Sequence, residues 1–290
     1  MIKRRVYEGP MGRVHGLIEE EIFANLPVTA GIEQKGLSGG KNWPGLMAHF
    51  THALPPLDLK SSDYFLDVGC GLGEHAIIAA LGFPKHYNIP SVRHALAVSS
   101  YEDEVSRAEN LARFASKNQD IFRELVDWEF PGMLNLYAAA PHFKKETLGE
   151  TPDNLHFLKT DIYHLPLPDD TADKTLSSSV ASYIKGHNNR RSMLKELLRV
   201  TRPGGLINIS SYAYEGMDGE LTTGPHELLE IAGQLGVRLR QRPELFRDRE
   251  AKLLDDRKKL AEEEHPLREI VFEIIEKTQP LPAGVMPQKT

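Results

Sequence analysis

Phe65-Leu66-Asp67-Val68-Gly69-Cys70-Gly71-Leu72-Gly73 is the stretch on which the reading of this chain turns. Residues 64–68 read as a buried strand and residues 74–81 as the helix that follows it. Glycines between a strand and a helix let the backbone pass close to a ligand. The helix start adds unpaired N–H groups and positive dipole character, which suit a carboxylate or a phosphate. A dinucleotide fingerprint, G-x-G-x-x-G, needs its third glycine where Glu74 stands, and a carboxylate there repels a pyrophosphate. The acid before the glycines, Asp67, suits a cationic amine instead. A nicotinamide dehydrogenase is therefore disfavoured, and a ligand that carries both an amine and a carboxylate is favoured.

Outward from this turn, strand and helix patterns alternate. Residues 95–98 read as a second strand, and 102–115 as a helix with Val105, Ala108, Leu111, Ala112 and Ala115 at helical spacing. Residues 155–158 and 174–177 read as the third and fourth strands. Residues 190–200 form an amphipathic helix with Met193, Leu194, Leu197 and Leu198 on one face, stopped by Pro203-Gly204-Gly205, and 206–209 are the fifth strand. The alternation predicts an α/β protein with a mostly parallel central sheet covered by helices on both faces.

The expected organisation is a single domain: a leader over 1–56, a core over 57–214 with an insertion at 120–154, and a helical C-terminal part over 215–290. The leader contains a Gly-, Lys- and Ser-rich stretch at 30–44 that reads as a loop. The insertion, with Trp128, Phe130, Tyr137 and Phe143, is long for a loop, so it carries structure of its own, as a helical lid over a substrate or as a surface subdomain. In the tail, 226–235 read as a helix and 237–240 as a strand. Phe246, Leu253, Leu260 and Leu267 then recur every seven residues, but Arg249 and Asp256 occupy the other seam position. That pattern fits a helix packed on its own core better than a dimer zipper, and leaves a homodimer open.

Composition bounds the function. The chain has 290 residues, a net charge of −6 and one cysteine, Cys70. Such a charge disfavours nucleic acid as a partner. One thiol forms no intrachain disulfide and no thiolate metal site, which suits a reducing cytoplasm, and no metal cluster is expected. No apolar run reaches the length of a membrane span, so no stable membrane insertion is expected.

Asp67-Val68-Gly69-Cys70-Gly71-Leu72-Gly73 resembles motif I of the class I S-adenosylmethionine (SAM)-dependent methyltransferases. Phe157-Leu158-Lys159-Thr160-Asp161-Ile162 resembles the motif at the end of their third strand. Leu165-Pro166-Leu167-Pro168-Asp169-Asp170 resembles the L-P-F-P-D run of the ubiquinone/menaquinone-type enzymes, and residues 194–205 their L-x-E-x-x-R-V-L-x-P-G-G segment. The resemblance implies a Rossmann-like fold, SAM as co-substrate and methyl transfer to a small organic acceptor: a lipid, quinone or specialised metabolite. It also implies site roles. Gly69, Cys70, Gly71 and Gly73 line the methionine and ribose part, Asp67 anchors the amino group, Asp161 accepts from the adenine amine, Ile162 packs on that ring, and Ser178 lies near the donor methyl.

One position departs from the family. Many members end the second strand with an acid that holds the ribose hydroxyls; here Ser99-Ser100-Tyr101 stands there, as in enzymes similar to sterol and natural-product methyltransferases, with Glu102 as a substitute within reach. Tyr183 and His187 are the candidates for the base that deprotonates an acceptor. The alternative function is a non-catalytic SAM- or metabolite-binding partner subunit.

Overall fold

Strand β1, Tyr64–Val68, is buried at four of its five positions, which is why its residues do not alternate between apolar and polar. It lies between β2 (His94–Ser99) and β4 (Ala172–Ser178), parallel to both. A computed structural model of the chain describes residues 17, 53–83, 89–127, 139–178, 180, 184, 186–212, 224–242 and 267–278. Within them, β3 is Leu155–Lys159, β5 Thr201–Tyr212, β6 Val237–Gln241 and β7 Leu267–Lys277. The seven strands run β3-β2-β1-β4-β5-β7-β6. Pairs among β1 to β5 are parallel, and β7 is antiparallel to both β5 and β6.

The helices are α1 (Glu74–Leu81), α2 (Glu102–Lys117), α3 (Gln119–Asp127), α4 (His187–Val200) and α5 (Gly224–Gln234). Side-chain alternation along the sheet feeds two cores. Phe65, Leu176 and Val271 join Ile77, Leu111, Phe114 and Phe122 from α1, α2 and α3 on one face. Leu66, Val68, Ile207 and Phe272 join Met193, Leu197 and Ile231 from α4 and α5 on the other. The mostly parallel sheet flanked by helices is the fold expected from the alternation of patterns.

The chain winds from β1 towards β3 and then crosses back to β4 and β5, so the winding reverses between β1 and β4. In open α/β sheets that reversal opens a crevice beyond the strand C-termini. The glycine turn after β1 stands at its rim. α4 ends at Val200, ahead of its expected stop at Pro203-Gly204-Gly205, which lies inside β5, where the register against β4 shifts between Ala172 and Lys174.

Two regions differ from expectation. In the C-terminal part the expected helix at 226–235 is α5 and the expected strand at 237–240 is β6, but the remainder is not helical throughout: it supplies the long strand β7. Leu267 opens β7 and so is no rung of a helical stripe; Phe246, Leu253 and Leu260 lie outside the described residues. β7 forms because Ile270-Val271-Phe272 and Ile274-Ile275 are β-branched or aromatic, the first three pairing with β5 and Ile274 with Leu239 of β6. The described half of the insertion is fastened along the C-terminal half of α2. Phe143 stacks on Phe114 with centroids 4.1 Å apart. The Arg113 side chain donates to the Gly149 carbonyl at 3.0 Å, and Asn118 Nδ2 to the Thr147 carbonyl at 2.9 Å. That half of α2 runs back from the crevice, so these anchors hold the insertion to the body of the domain. Residues 128–138, including Trp128, Phe130 and Tyr137, lie outside the described residues, as does all of the leader except Leu17 and residues 53–56.

Candidate active site

Three glycines with positive φ, Gly69 (74°), Gly71 (54°) and Gly73 (68°), bend the chain from β1 into α1. The Gly69 and Cys70 N–H groups donate to the Val98 carbonyl at 2.9 and 3.0 Å, so the turn leans on the end of β2. The glycines are not equivalent. A Cβ on Gly69 would run into the Val180 side chain. One on Gly73 would lie 2.7 Å from Phe157 Cε1 and 3.2 Å from Ala108 Cβ. One on Gly71 meets nothing within 4 Å among the described residues. Gly69 and Gly73 are thus required by packing, and Gly71 is the one of the three that no described residue crowds.

Beside the turn sits a buried acid pair. Asp67 is 1% exposed and Glu74 3%. Asp67 Oδ2 and Glu74 Oε2 have no hydrogen-bond partner among the described residues. His75 Nδ1 stands 3.8 Å from Asp67 and 3.9 Å from Glu74. Burial pushes the Asp67 carboxyl up to about 7. Burial, and then the charge on Asp67, pushes Glu74 up to about 8. Two desolvated carboxyl groups side by side resist double ionisation, and a cation placed against them removes that resistance.

Cys70 is buried between these groups. Burial and the carboxylates of Asp67, Glu74 and Glu104 hold its thiol well above the ordinary range, which keeps it protonated and filling space.

The other expected residues lie as follows. Ser99 ends β2, is buried, and donates from Oγ to Glu104 Oε2 at 2.5 Å while accepting from the Tyr101 N–H at 3.1 Å. Ser100 is exposed at the bend after it. Glu102 does not reach back: its carboxylate pairs with Lys159 at 3.1 Å on the surface. Asp161 sits in the turn after β3 and accepts from the Tyr163 N–H and pairs with His164 Nδ1, both at 2.9 Å. Ile162 is buried in the core on the α4 side of the sheet. Ser178 is the last residue of β4, in register with Ser210. Tyr183 lies outside the described residues. His187 is exposed at the first residue of α4. The residue that sequence reading missed is Glu104; three consecutive acids in the first turn of α2, just beyond a buried serine, were the available signal.

The Leu165–Asp170 run and the Glu196–Arg199 segment meet in one clamp. Glu196 accepts from the Leu165 N–H at 2.8 Å. Arg199 donates to Glu196 Oε2 at 2.7 Å, to Asp169 at 2.8 Å, and to the Leu165 and Leu167 carbonyls. These hydrogen bonds and the two carboxylates hold its guanidinium well above the usual range. The clamp ties the run that leads into β4 to the C-terminal end of α4, so the two motifs are one structural device at the edge where β4 and β5 begin, opposite the glycine turn.

Residues 133–209 match the family described as "Methyltransferase domain". The match spans about a quarter of the chain. It takes in β3, β4, α4 and most of β5, and leaves out the glycine turn, which the insertion separates from the rest of the pattern. Over 66 residues the chain is 33% identical to the tRNA (carboxymethyluridine(34)-5-O)-methyltransferase of Arabidopsis thaliana. That segment is 23% of this chain and spans only 16% of the plant protein. Among solved structures, the chain is similar to the YcgJ protein of Bacillus subtilis, at 13% identity and a TM-score of 0.45, over 67% of this chain and 70% of that one. It is also similar to a SAM-dependent methyltransferase from Aquifex aeolicus, at 17% identity and a TM-score of 0.41, over 69% of this chain and 85% of that one. Among the described residues of this methyltransferase-like chain, no helix is long and apolar enough to cross a membrane.

Proposed function

We propose that this protein takes SAM in the crevice between the ends of β1 and β4 and transfers its methyl group to a small organic acceptor, a lipid, quinone or specialised metabolite. The observation that carries the reading is the buried pair Asp67 and Glu74 beside Gly71, each with one carboxylate oxygen that has no hydrogen-bond partner among the described residues. SAM brings an ammonium and a sulfonium to such a place, and it supplies an electrophilic methyl group with a good leaving group. The protein's share is then alignment. Asp67 accepts from the ammonium, the uncapped first turn of α1 faces the carboxylate of the methionine end, and Asp161 marks the far end of the crevice for the adenine amine. Tyr183 and His187 remain the candidates to take a proton from the acceptor.

A small acceptor fits the net charge of −6 and the acids that crowd the turn, which repel a phosphate backbone. The similarity to a tRNA methyltransferase favours a second reading, in which the acceptor is a modified nucleoside of RNA. Calorimetric titration with SAM, followed by transfer of labelled methyl to a panel of lipids, quinones, phenols and total tRNA, separates these. Absence of SAM binding overturns the proposal. Label in tRNA moves the acceptor to RNA, and binding without transfer to any acceptor points to a non-catalytic partner subunit.

A further inference from the structure

We infer that Glu104 is the side chain that takes the ribose hydroxyls of the bound nucleoside, with Ser99 as the residue that positions it. The inference rests on SAM binding as proposed above and names a contact within that site.

Four observations place the carboxylate. Glu104 is the third residue of α2, where the helix dipole favours an anion. It lies one helical turn before Ala108, the residue that packs against Gly73, so Glu104 and Ala108 share the face of α2 turned to the glycine turn. Its charge is felt at both Glu74 and Cys70. Its orientation is set by a directed chain: the Tyr101 N–H donates to Ser99 Oγ at 3.1 Å, which leaves the serine proton to go to Glu104 Oε2 at 2.5 Å.

An ionised carboxylate offers about four lone-pair sites, and Ser99 uses one of them. No other hydrogen bond or ion pair engages Glu104 among the described residues. What remains is a double acceptor, and its complement is a pair of adjacent O–H donors. The order of the strands says which part of the ligand arrives there. Asp161 follows β3, Ser99 and Glu104 follow β2, and the glycine turn follows β1, in the spatial order β3-β2-β1. A ligand stretched across those ends, with its amine at Asp67 and its adenine at Asp161, lays its middle on β2, and the middle of SAM is the ribose diol. Glu102, the nearer acid in sequence, is turned away to Lys159.

The test is calorimetric binding of S-adenosylhomocysteine and of its 2′-deoxy and 3′-deoxy forms to the full chain. Glu104→Ala is expected to weaken S-adenosylhomocysteine roughly 10- to 100-fold, the loss typical of hydrogen bonds to a charged acceptor. Wild type is expected to bind the deoxy forms more weakly than the parent, and Glu104→Ala to bind all three alike. Glu104→Gln, which keeps the shape of the side chain, is expected to fall between the two. Glu102→Ala is expected to match wild type. Unchanged affinity in Glu104→Ala, or discrimination against the deoxy forms that survives the substitution, overturns this inference and leaves SAM binding standing. If wild type binds no S-adenosylhomocysteine, both fall.

Discussion

Replacing Glu74 by glutamine tests the electrostatics of the site without any ligand. The substitution keeps the volume and removes the ionisation. Glu74 is held at about 8 against an ordinary 4.5, and its neighbour Asp67 at about 7 against 3.8. A group whose folded pKa is raised contributes fully below its unfolded pKa, and the contribution is lost as pH rises through the folded value. The wild-type protein is therefore expected to lose stability steadily between about pH 5 and pH 9. A rise of roughly 3.5 pH units at 1.36 kcal/mol each sets a ceiling of about 5 kcal/mol for Glu74. Part of that belongs to its repulsion with Asp67, so about 2 to 4 kcal/mol is the expected gain of Glu74→Gln over wild type at pH 9. At pH 5 the two proteins are expected to agree within ~1 kcal/mol. At a few degrees of melting temperature per kcal/mol, the difference at pH 9 is on the order of 5–10 °C. Urea unfolding followed by far-ultraviolet circular dichroism at pH 5, 7 and 9 reads it directly. Parallel pH profiles for the two proteins would refute the reasoning, because they would mean that the Glu74 carboxyl does not ionise at a cost in the folded state.

Arg199→Ala leaves Glu196 buried without its partner and frees the Leu165 and Leu167 carbonyls; a loss of about 3 to 5 kcal/mol in chemical denaturation is expected, and a loss below ~1 kcal/mol would contradict the clamp. Gly73→Ala must move Phe157 and strain a positive φ, so it is expected to destabilise by about 2 kcal/mol or more. Gly71→Ala meets no neighbour and is expected to cost only about 1 kcal/mol in stability while greatly weakening SAM in calorimetry; equal effects of the two alanines on stability would erase the distinction between packing and access. Asn154→Ala removes a side chain whose Nδ2 donates to the Ala80 and Val92 carbonyls, and is expected to lower the urea midpoint, corresponding to about 1 to 3 kcal/mol, with SAM affinity unchanged.

The parts of the fold legible in the sequence are those specified by short-range pattern. β1 declares itself because both of its faces are buried, and α2 because its apolar residues recur at helical spacing. β7 did not, because what makes 267–277 a strand is a partner more than fifty residues earlier, and a leucine at the end of a sevenfold recurrence looks the same in either structure. The candidate site divides similarly. The glycine turn was visible, but not that Gly69 and Gly73 also have to clear Val180 and Phe157. Glu74 was read as a charge that turns phosphates away; its burial beside Asp67 follows from seven of the eight residues of α1 being covered, which no local pattern announces. Ser99 stood out as the missing acid, and the carboxylate that meets it came from the third residue of α2, because the pitch of a helix turns Glu104 inward where Glu102 turns out.

The reversed strand also sets a schedule for synthesis. β7 sits between β5 and β6, so β6 has no place in the sheet until residues 267–277 have been made. As the chain emerges from the ribosome, β1 to β5 can pair in turn, while β5 keeps one bare edge and the apolar Ile207 and Ile209 wait for Phe272 and Ile274. The last strand to appear thus closes the sheet at a site more than fifty residues back, a slow, long-range step that leaves an adhesive edge open until it is complete.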